Sequence, residues 1–436
     1  MTEDKTTAAP PEEAQPAAEQ AVAPTGTEAT RPAGEGRGLG GRAWDAIRYG
    51  NPVVVTVLAL IAAMIVGAVL IAIADPATQA ASKYFFAAPA DTLNAGWSAI
   101  ISAYTALFQG AVFNPHTASD GTLSGLFGPL SETLVSATPL ILGGLSVGLA
   151  FRAGLFNIGG QGQIIMGAVA AGYVGFAWSM PPVLHVLVAI IAGIIGGAIW
   201  GGLAGFLKAR TGAHEVITTI MLNYIAYNFL AYLLSLRGFQ RPPYGQAISN
   251  VVKDTARLPH LLGSGLRVHA GLLIALLAAA GVWWLLTRST LGFQLRAVGA
   301  NQFAARTAGM SVERSYTTVM LIAGGLAGLA GVSQILGTNS AITQDIDAGF
   351  GFDAITVALL GRATPLGTVL AGLLFGALRA GGVQMQSSTG TPVDLVLVVQ
   401  ALIVLFIAAP SLVRSVFRLK AAPTSVTQTM AKGWNG

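Results

Sequence analysis

The chain has 436 residues, 53% of them hydrophobic and 10% charged, with a formal net charge of +5. A soluble domain carries roughly 25% charged residues, so a chain this long and this poor in charge must bury its surface in lipid. The absence of cysteine excludes disulfides and thiolate metal sites. The basic residues lie between apolar runs rather than in a patch, which argues against nucleic acid as a partner.

Residues 1–50 are rich in Ala, Pro, Glu and Thr and hold almost no large apolar side chain. Such a segment cannot bury enough surface to offset its ordering entropy, so it is expected to be a disordered tail. The first apolar run, 53–74, is longer than the roughly 7–15 residues of a signal-peptide core, and is expected to stay in the membrane as an anchor.

A helix crosses a bilayer with about 20 mostly apolar residues. On that basis spans are expected at 53–74, 132–151, 158–178, 183–207, 215–236, 270–287, 315–337, 350–362, 365–385 and 392–413. The fold class is therefore an all-α polytopic membrane protein with about ten transmembrane helices over 51–420. The short run 350–362 reads as a broken helix packed inside the protein. A weakly amphipathic stretch at 92–113 is expected to lie at the surface. A tail, 421–436, ends the chain.

Charge orients these spans. Arg37, Arg42, Arg48, Arg152, Lys208, Arg210, Arg288, Arg296, Arg306, Arg314, Arg362, Arg414, Arg418 and Lys420 fall on one side, expected to be cytoplasmic together with both termini. The 237–268 loop falls outside despite Arg237, Arg241, Lys253, Arg257 and Arg267. Two readings stay open: a long loop that translocates regardless of charge, or a basic dock for an acidic partner.

Small residues recur every fourth position at Gly193, Gly197, Gly201 and Gly205, at Gly324 and Gly328, and at Gly372 and Gly376. Such ridges allow close helix packing in lipid. Four spans (132–236) precede a lone one and four (315–413) follow it, beginning on opposite sides. Phe156-Asn157 opens the second span of the first set and Phe352-Asp353 that of the second. The pattern admits an inverted repeat, a transporter signature.

Catalytic patterns are missing. None of the six lysines follows a glycine, so no Walker A motif exists, and His214-Glu215 is not completed to a zinc-binding HExxH because position 218 is Thr. Acids and histidines for a proton relay are also scarce within the spans. The polarity there comes from amides: Asn157, Gln161, Gln163, Asn223, Asn228, Gln334, Asn339, Gln384, Gln386 and Gln400. They suit a neutral hydrogen-bonding solute, and equally suit interhelical hydrogen bonding. Asn157 is expected to cap the span it opens. Arg379, alone in the outer third of a span, either snorkels or lines a path.

Residues 288–314 read "RSTLGFQLRAVGANQFAARTAGMSVER". Asn301 is expected to cap a short helix that ends at Gly309. Ala304, Ala305 and Ala308 would give it a surface made to fit a partner's groove.

Together with "GLFNIGGQGQIIMGA" (154–168), "HEVITTIMLNYIA" (214–226) and "GFDAITVALLGRATPLGTVLAGLLFGALRAGG" (351–382), this loop resembles the permease subunits of ABC importers, in the branched-chain amino acid and simple sugar permease family and its nucleoside-type branch. The likeness spans about 130–412. It departs from the family pattern at Gln161, where an acid is usual, and at Ala363 and Thr364, where Asn is common. The resemblance implies a transport subunit rather than an enzyme, binding no cofactor itself, with ATP and magnesium used by a separate ATP-binding subunit. That subunit would dock near 299–310, and Arg296, Gly299, Asn301, Ala304, Ala305, Arg306 and Gly309 would carry the coupling. Asn157, Gln161, Gln163, Asn223, Asn228, Gln334, Asp353 and Arg379 would line the solute pathway. A second permease chain, copy or paralogue, an extracellular solute-binding protein and the bacterial plasma membrane complete the expected surroundings. Nucleosides lead the expected solutes, before simple sugars and branched-chain amino acids. A self-sufficient secondary carrier is the main alternative.

Overall fold

The structure, a computed structural model, describes residues 52–263 and 265–419; both expected tails lie outside the described residues. The helices, in order, are α1 (Pro52–Ala74), α2 (Pro76–Ser82), α3 (Pro89–Ala111), α4 (Pro115–Ala118), α5 (Leu123–Arg152), α6 (Gly160–Ala177), α7 (Pro182–Thr211) and α8 (Glu215–Ser235). After a long loop come α9 (Gly271–Arg288), α10 (Thr290–Ala300), α11 (Gln302–Thr307), α12 (Val312–Val332), α13 (Phe350–Leu360), α14 (Pro365–Thr389), α15 (Asp394–Ala408) and α16 (Pro410–Val416). A π-helical turn, Ser333–Thr338, prolongs α12.

The expected count of ten crossings is not confirmed by helix length and composition. Among the described residues seven helices are long and apolar enough to span a bilayer: α1, α5, α7, α8, α9, α12 with its π turn, and α14. An eighth is α15 with α16, bent by 95° before Pro410, whose ring cannot continue the preceding helix. The helices of the other two expected spans do not qualify by length and composition alone, although each segment joins opposite ends of the bundle: Gly154 lies against Gly299 and Trp178 against Lys253, Ser340 against Val252 and Arg362 against Arg152. Glutamine and glycine dilute α6, and α13 has only 11 residues. The 92–113 stretch is not among the candidate spans, as expected. It forms α3, which packs along α14 with Ala103 and Ala106 buried and Gly110 against Gly381 and Gln384.

The packing is consistent with a repeat. The two mostly buried helices, α5 and α12, touch at the centre. Pairing α5 to α8 with α12 to α15, each in order, exchanges their partners. Helix α12 packs on α7 and α6; α5 packs on α14 and α13. Both α7 and α14 begin with proline in the first turn and end at a left-handed glycine, Gly212 or Gly390. Both seams depend on small residues. A Cβ on Gly201 would meet the Met320 carbonyl oxygen at 2.5 Å, and one on Gly376 the Thr133 carbonyl oxygen at 2.8 Å. The recurring glycines thus serve close backbone approach.

The 236–270 loop, at the end opposite α10 and α11, is tied down by backbone and side-chain hydrogen bonds. Val252 N–H bonds the Ser340 carbonyl (2.8 Å) and Leu258 N–H the Leu336 carbonyl (2.8 Å), with Val252, Ala256 and Leu258 buried. Lys253 Nζ donates to the Trp178 carbonyl (2.8 Å), and Arg267 pairs with Glu132 (2.9 Å). At the loop's end, His269 is buried, its Nδ1 accepting from Gly271 N–H (3.1 Å) and its Nε2 3.4 Å from Thr338 Oγ1. Burial first, then the charges of His260 and Arg267, lower its pKa to about 4. The unfolded histidine takes a proton below pH ~6.5 that the folded site refuses. Stability is therefore full above that pH and falls as pH drops toward 4. In detergent the melting temperature is expected to fall on acidification from pH 7 to 4.5, and more steeply than in His269→Gln. Identical slopes would dismiss this origin.

Candidate functional site

The stretch "FNIGGQGQ" does not start a helix at the membrane surface. Helix α5 ends at Arg152, Gly154 turns the chain (φ +75°), and Leu155–Ile158 run without helical structure before α6 begins at Gly160. At ~3.3 Å per extended residue, those four residues let α6 start at most about 13 Å beyond the end of α5. Asn157 is not the cap; Gly159 holds that place. The Asn157 Oδ1 instead accepts from Gly159 N–H (3.0 Å). Its amide also pairs reciprocally with that of Gln163, at 3.0 Å in each direction, and both side chains are fully buried. The unpaired donors of α6 are partly met from α8. Asn223 Oδ1 accepts from Gly162 N–H (2.9 Å), and its Nδ2 donates to the Ile158 carbonyl (2.9 Å).

Helix α13 begins the same way from the opposite side, after Ala348 and Gly349, both at positive φ. Its first turn abuts that of α6: a Cβ on Gly160 would come within 2.9 Å of the Gly351 carbonyl oxygen. Two helices that start inside the bundle, half-helices in that sense only, therefore meet at their N-termini. The Gln161 side chain lies near the Asp347 carboxylate, which accepts from Gly349 N–H (3.2 Å). Asp353 pairs with Arg379 of α14 at 3.0 Å; Arg379 also bonds the Ala348 carbonyl and lies 4.1 Å over the Phe350 ring.

A cavity of about 300 Å³ opens at this junction, lined by Gln161, Ile220, Asn223, Tyr224, Tyr227 and Phe352. Of the expected pathway residues, Gln161 and Asn223 reach it. Asn157 and Gln163 brace α6 behind it, and Asp353 with Arg379 hold the start of α13. Asn228 bonds back to the Tyr224 carbonyl (2.8 Å), and Gln334 is buried in the π turn. Tyr224, Tyr227 and Phe352 were not among the expected residues. The signal for the tyrosines was their three-residue spacing on an otherwise apolar helix.

At the other end, α11 is built as expected. Asn301 Oδ1 accepts from the N–H groups of Phe303 (2.9 Å) and Ala304 (3.1 Å). Gly309 takes φ +81°, with Gly309 N–H to the Arg306 carbonyl and Met310 N–H to the Ala305 carbonyl, both 3.0 Å. That pair of bonds is a Schellman cap. Ala305 does not face outward; it is buried with Val298 and Val312, and anchors the helix. Phe303, Ala304, Thr307 and Ala308 are exposed. Arg306 pairs with Glu313, and Arg296 Nε reaches the Gly292 carbonyl at 3.4 Å. Gly299 lies against the backbone of Ala153 and Gly154, where a Cβ would meet Gly154 N at 2.9 Å. The loop is thus locked to the foot of α5. Beneath α11 a cleft of about 490 Å³ contains the Lys208–Glu215 ion pair (2.9 Å) and the Tyr316 hydroxyl, which donates to Gln302 Oε1 (2.9 Å).

Two helix sets that exchange packing partners, helix N-termini meeting at an internal cavity, and a rigidly held helix at one end fit a multi-pass membrane transport protein. Residues 130–408 match the family described as branched-chain amino acid transport system / permease component. The chain belongs to that family; it is a permease component, not an enzyme. It is 42% identical to the guanosine ABC transporter permease protein NupP of Bacillus subtilis (strain 168), covering 67% of this chain and 85% of that one. It is 39% identical to the glucose ABC transporter permease protein TsgB13 of Haloferax volcanii, over 66% of this chain and 77% of that one. It is 34% identical to the nucleoside ABC transporter permease protein NupB of Lactococcus lactis subsp. cremoris (strain MG1363), over 70% and 85%. No solved structure matches the chain.

Proposed function

We propose that the chain is a permease subunit of an ATP-driven importer for nucleosides in a bacterial plasma membrane, with both termini in the cytoplasm. The observation that carries this reading is the 42% identity to a guanosine permease across two thirds of the chain. The geometry supports it. A separate ATP-binding subunit, using ATP and magnesium, docks on exposed Phe303, Ala304 and Thr307. The fixed contacts at Ala305 and Gly299 pass its motion to the bundle as a rigid-body lever. A second permease chain closes the open side of the half-helix cavity, and an extracellular solute-binding protein loads the opposite end. The 39% identity to a glucose permease favours a second reading, a simple-sugar importer.

Both are tested by co-expressing the chain with its neighbouring transport genes in a strain lacking nucleoside uptake. Labelled guanosine is expected to accumulate only with an intact ATP-binding subunit, and glucose and ribose not at all. Concentrative uptake by the purified chain alone in liposomes would overturn the importer reading. Uptake of sugar without guanosine would move the solute to the second.

A further inference from the structure

We infer that the cavity between the half-helices is a stacking site for the planar aromatic ring of the solute, with Gln161 as the group that reads the ring's edge. This rests on the nucleoside reading above and adds the residues that would recognise the base.

The first reason is what is left free. Asn223 lines the cavity, but both ends of its amide are engaged, with Gly162 N–H and the Ile158 carbonyl. Asn157 and Gln163 are engaged with each other. The Gln161 side chain makes no hydrogen bond among the described residues and lies near the Asp347 carboxylate. The amide's two donors and its acceptor oxygen are therefore open to a solute, the oxygen to take a ring N–H or an amino group.

The second reason is what surrounds it. Tyr224 is 63% and Phe352 49% exposed, and Tyr227 lies beside them on the cavity wall. Tyr224 is nine residues into a 21-residue spanning helix, about 14 Å from its start at 1.5 Å per residue. Neither tyrosine hydroxyl is hydrogen-bonded within the described residues. Phenols facing hydrocarbon at that depth would be costly; facing a wet pathway, they keep water partners. Three rings and one free amide do not suit a bare sugar, whose many hydroxyls would need matching polar groups. They suit a heterocycle, because every base has a π face that stacks on an aromatic side chain. A cavity of about 300 Å³ is at the lower limit for small-molecule sites, fitting a ring on one wall with the rest of the solute against the facing chain.

The test is photolabelling of the assembled importer with 8-azidoguanosine. Adducts are expected on the peptides carrying Tyr224 and Tyr227 or Phe352, and should be suppressed by guanosine but not by ribose. Phe352→Ala and Tyr224→Ala should each cut labelling about tenfold, the size of one stacking contact, while Tyr224→Phe keeps it. Phe352→Leu, apolar but without a π face, should behave as Phe352→Ala and serves if the alanine variant does not assemble. Gln161→Leu should weaken guanosine's competition. Adducts elsewhere, or equal competition by ribose, would overturn the site. If wild-type importer takes up nucleosides yet labels elsewhere, only this site falls; if it takes up none, the nucleoside reading falls with it.

Discussion

Replacing Gly309 with valine is expected to reduce ATP-driven uptake tenfold or more while barely moving the melting temperature. Gly309 sits at φ +81°, and a Cβ built there would meet nothing within 4 Å. The cost is therefore conformational: a β-branched residue in the left-handed region costs about 1–3 kcal/mol. The exposed loop can escape that strain by abandoning the Schellman cap that ends α11. Met310 N–H then loses the Ala305 carbonyl, and the buried Ala305 anchor loosens. The bundle, whose seams lie elsewhere, stays folded. Asparagine tolerates positive φ, so Gly309→Asn is expected to retain most uptake. The measurement is ATP hydrolysis by the reconstituted complex, with and without solute-loaded binding protein. Full stimulation in Gly309→Val would remove α11 from the coupling path.

Much of this molecule was legible because its local rules agree. Asn301 and Gly309 bracket α11 by capping chemistry that needs no tertiary information. The glycine ridges named the seams, since in lipid close approach replaces hydrophobic patterning. The count of crossings was not legible. Apolar length does not show where a crossing is part helix and part irregular chain, as it is at 155–177 and 340–360. The fate of each amide was hidden for a related reason. Asn157, Gln163 and Gln161 are near neighbours in sequence, yet two pair with each other and the third faces a cavity. The difference arises from the re-entrant turn before Gly160. Tyr224 and Tyr227 were in plain view, but an aromatic residue on an apolar helix reads as lipid-facing until the half-helices beside it are placed.

Breaking the Asp353–Arg379 pair is expected to be the most damaging change at the half-helix junction. Arg379 does three things from α14. It neutralises Asp353 in the first turn of α13, bonds the Ala348 carbonyl where the backbone is at φ +46°, and covers the Phe350 ring. It also lines a polar cleft of about 630 Å³ with Gln109, Glu132, Arg267 and Gln384, so water reaches it from one side. The side chains are 28% and 22% exposed. Removing one member of a fully buried pair costs about 3–5 kcal/mol. Partial solvation reduces that here to about 2 kcal/mol, still enough to displace the start of α13 and with it Phe352. Asp353→Asn and Arg379→Gln are each expected to lower the melting temperature by several degrees and uptake by tenfold or more. The double variant leaves no unpaired charge, so it should be more stable than the sum of the two losses predicts, a coupling of at least 0.5 kcal/mol. Uptake should stay low in it, because the Ala348 and Phe350 contacts remain disturbed. Strict additivity in stability would show that the two charges do not act as a pair. Normal uptake in Arg379→Gln would show that the start of α13 is held without the guanidinium.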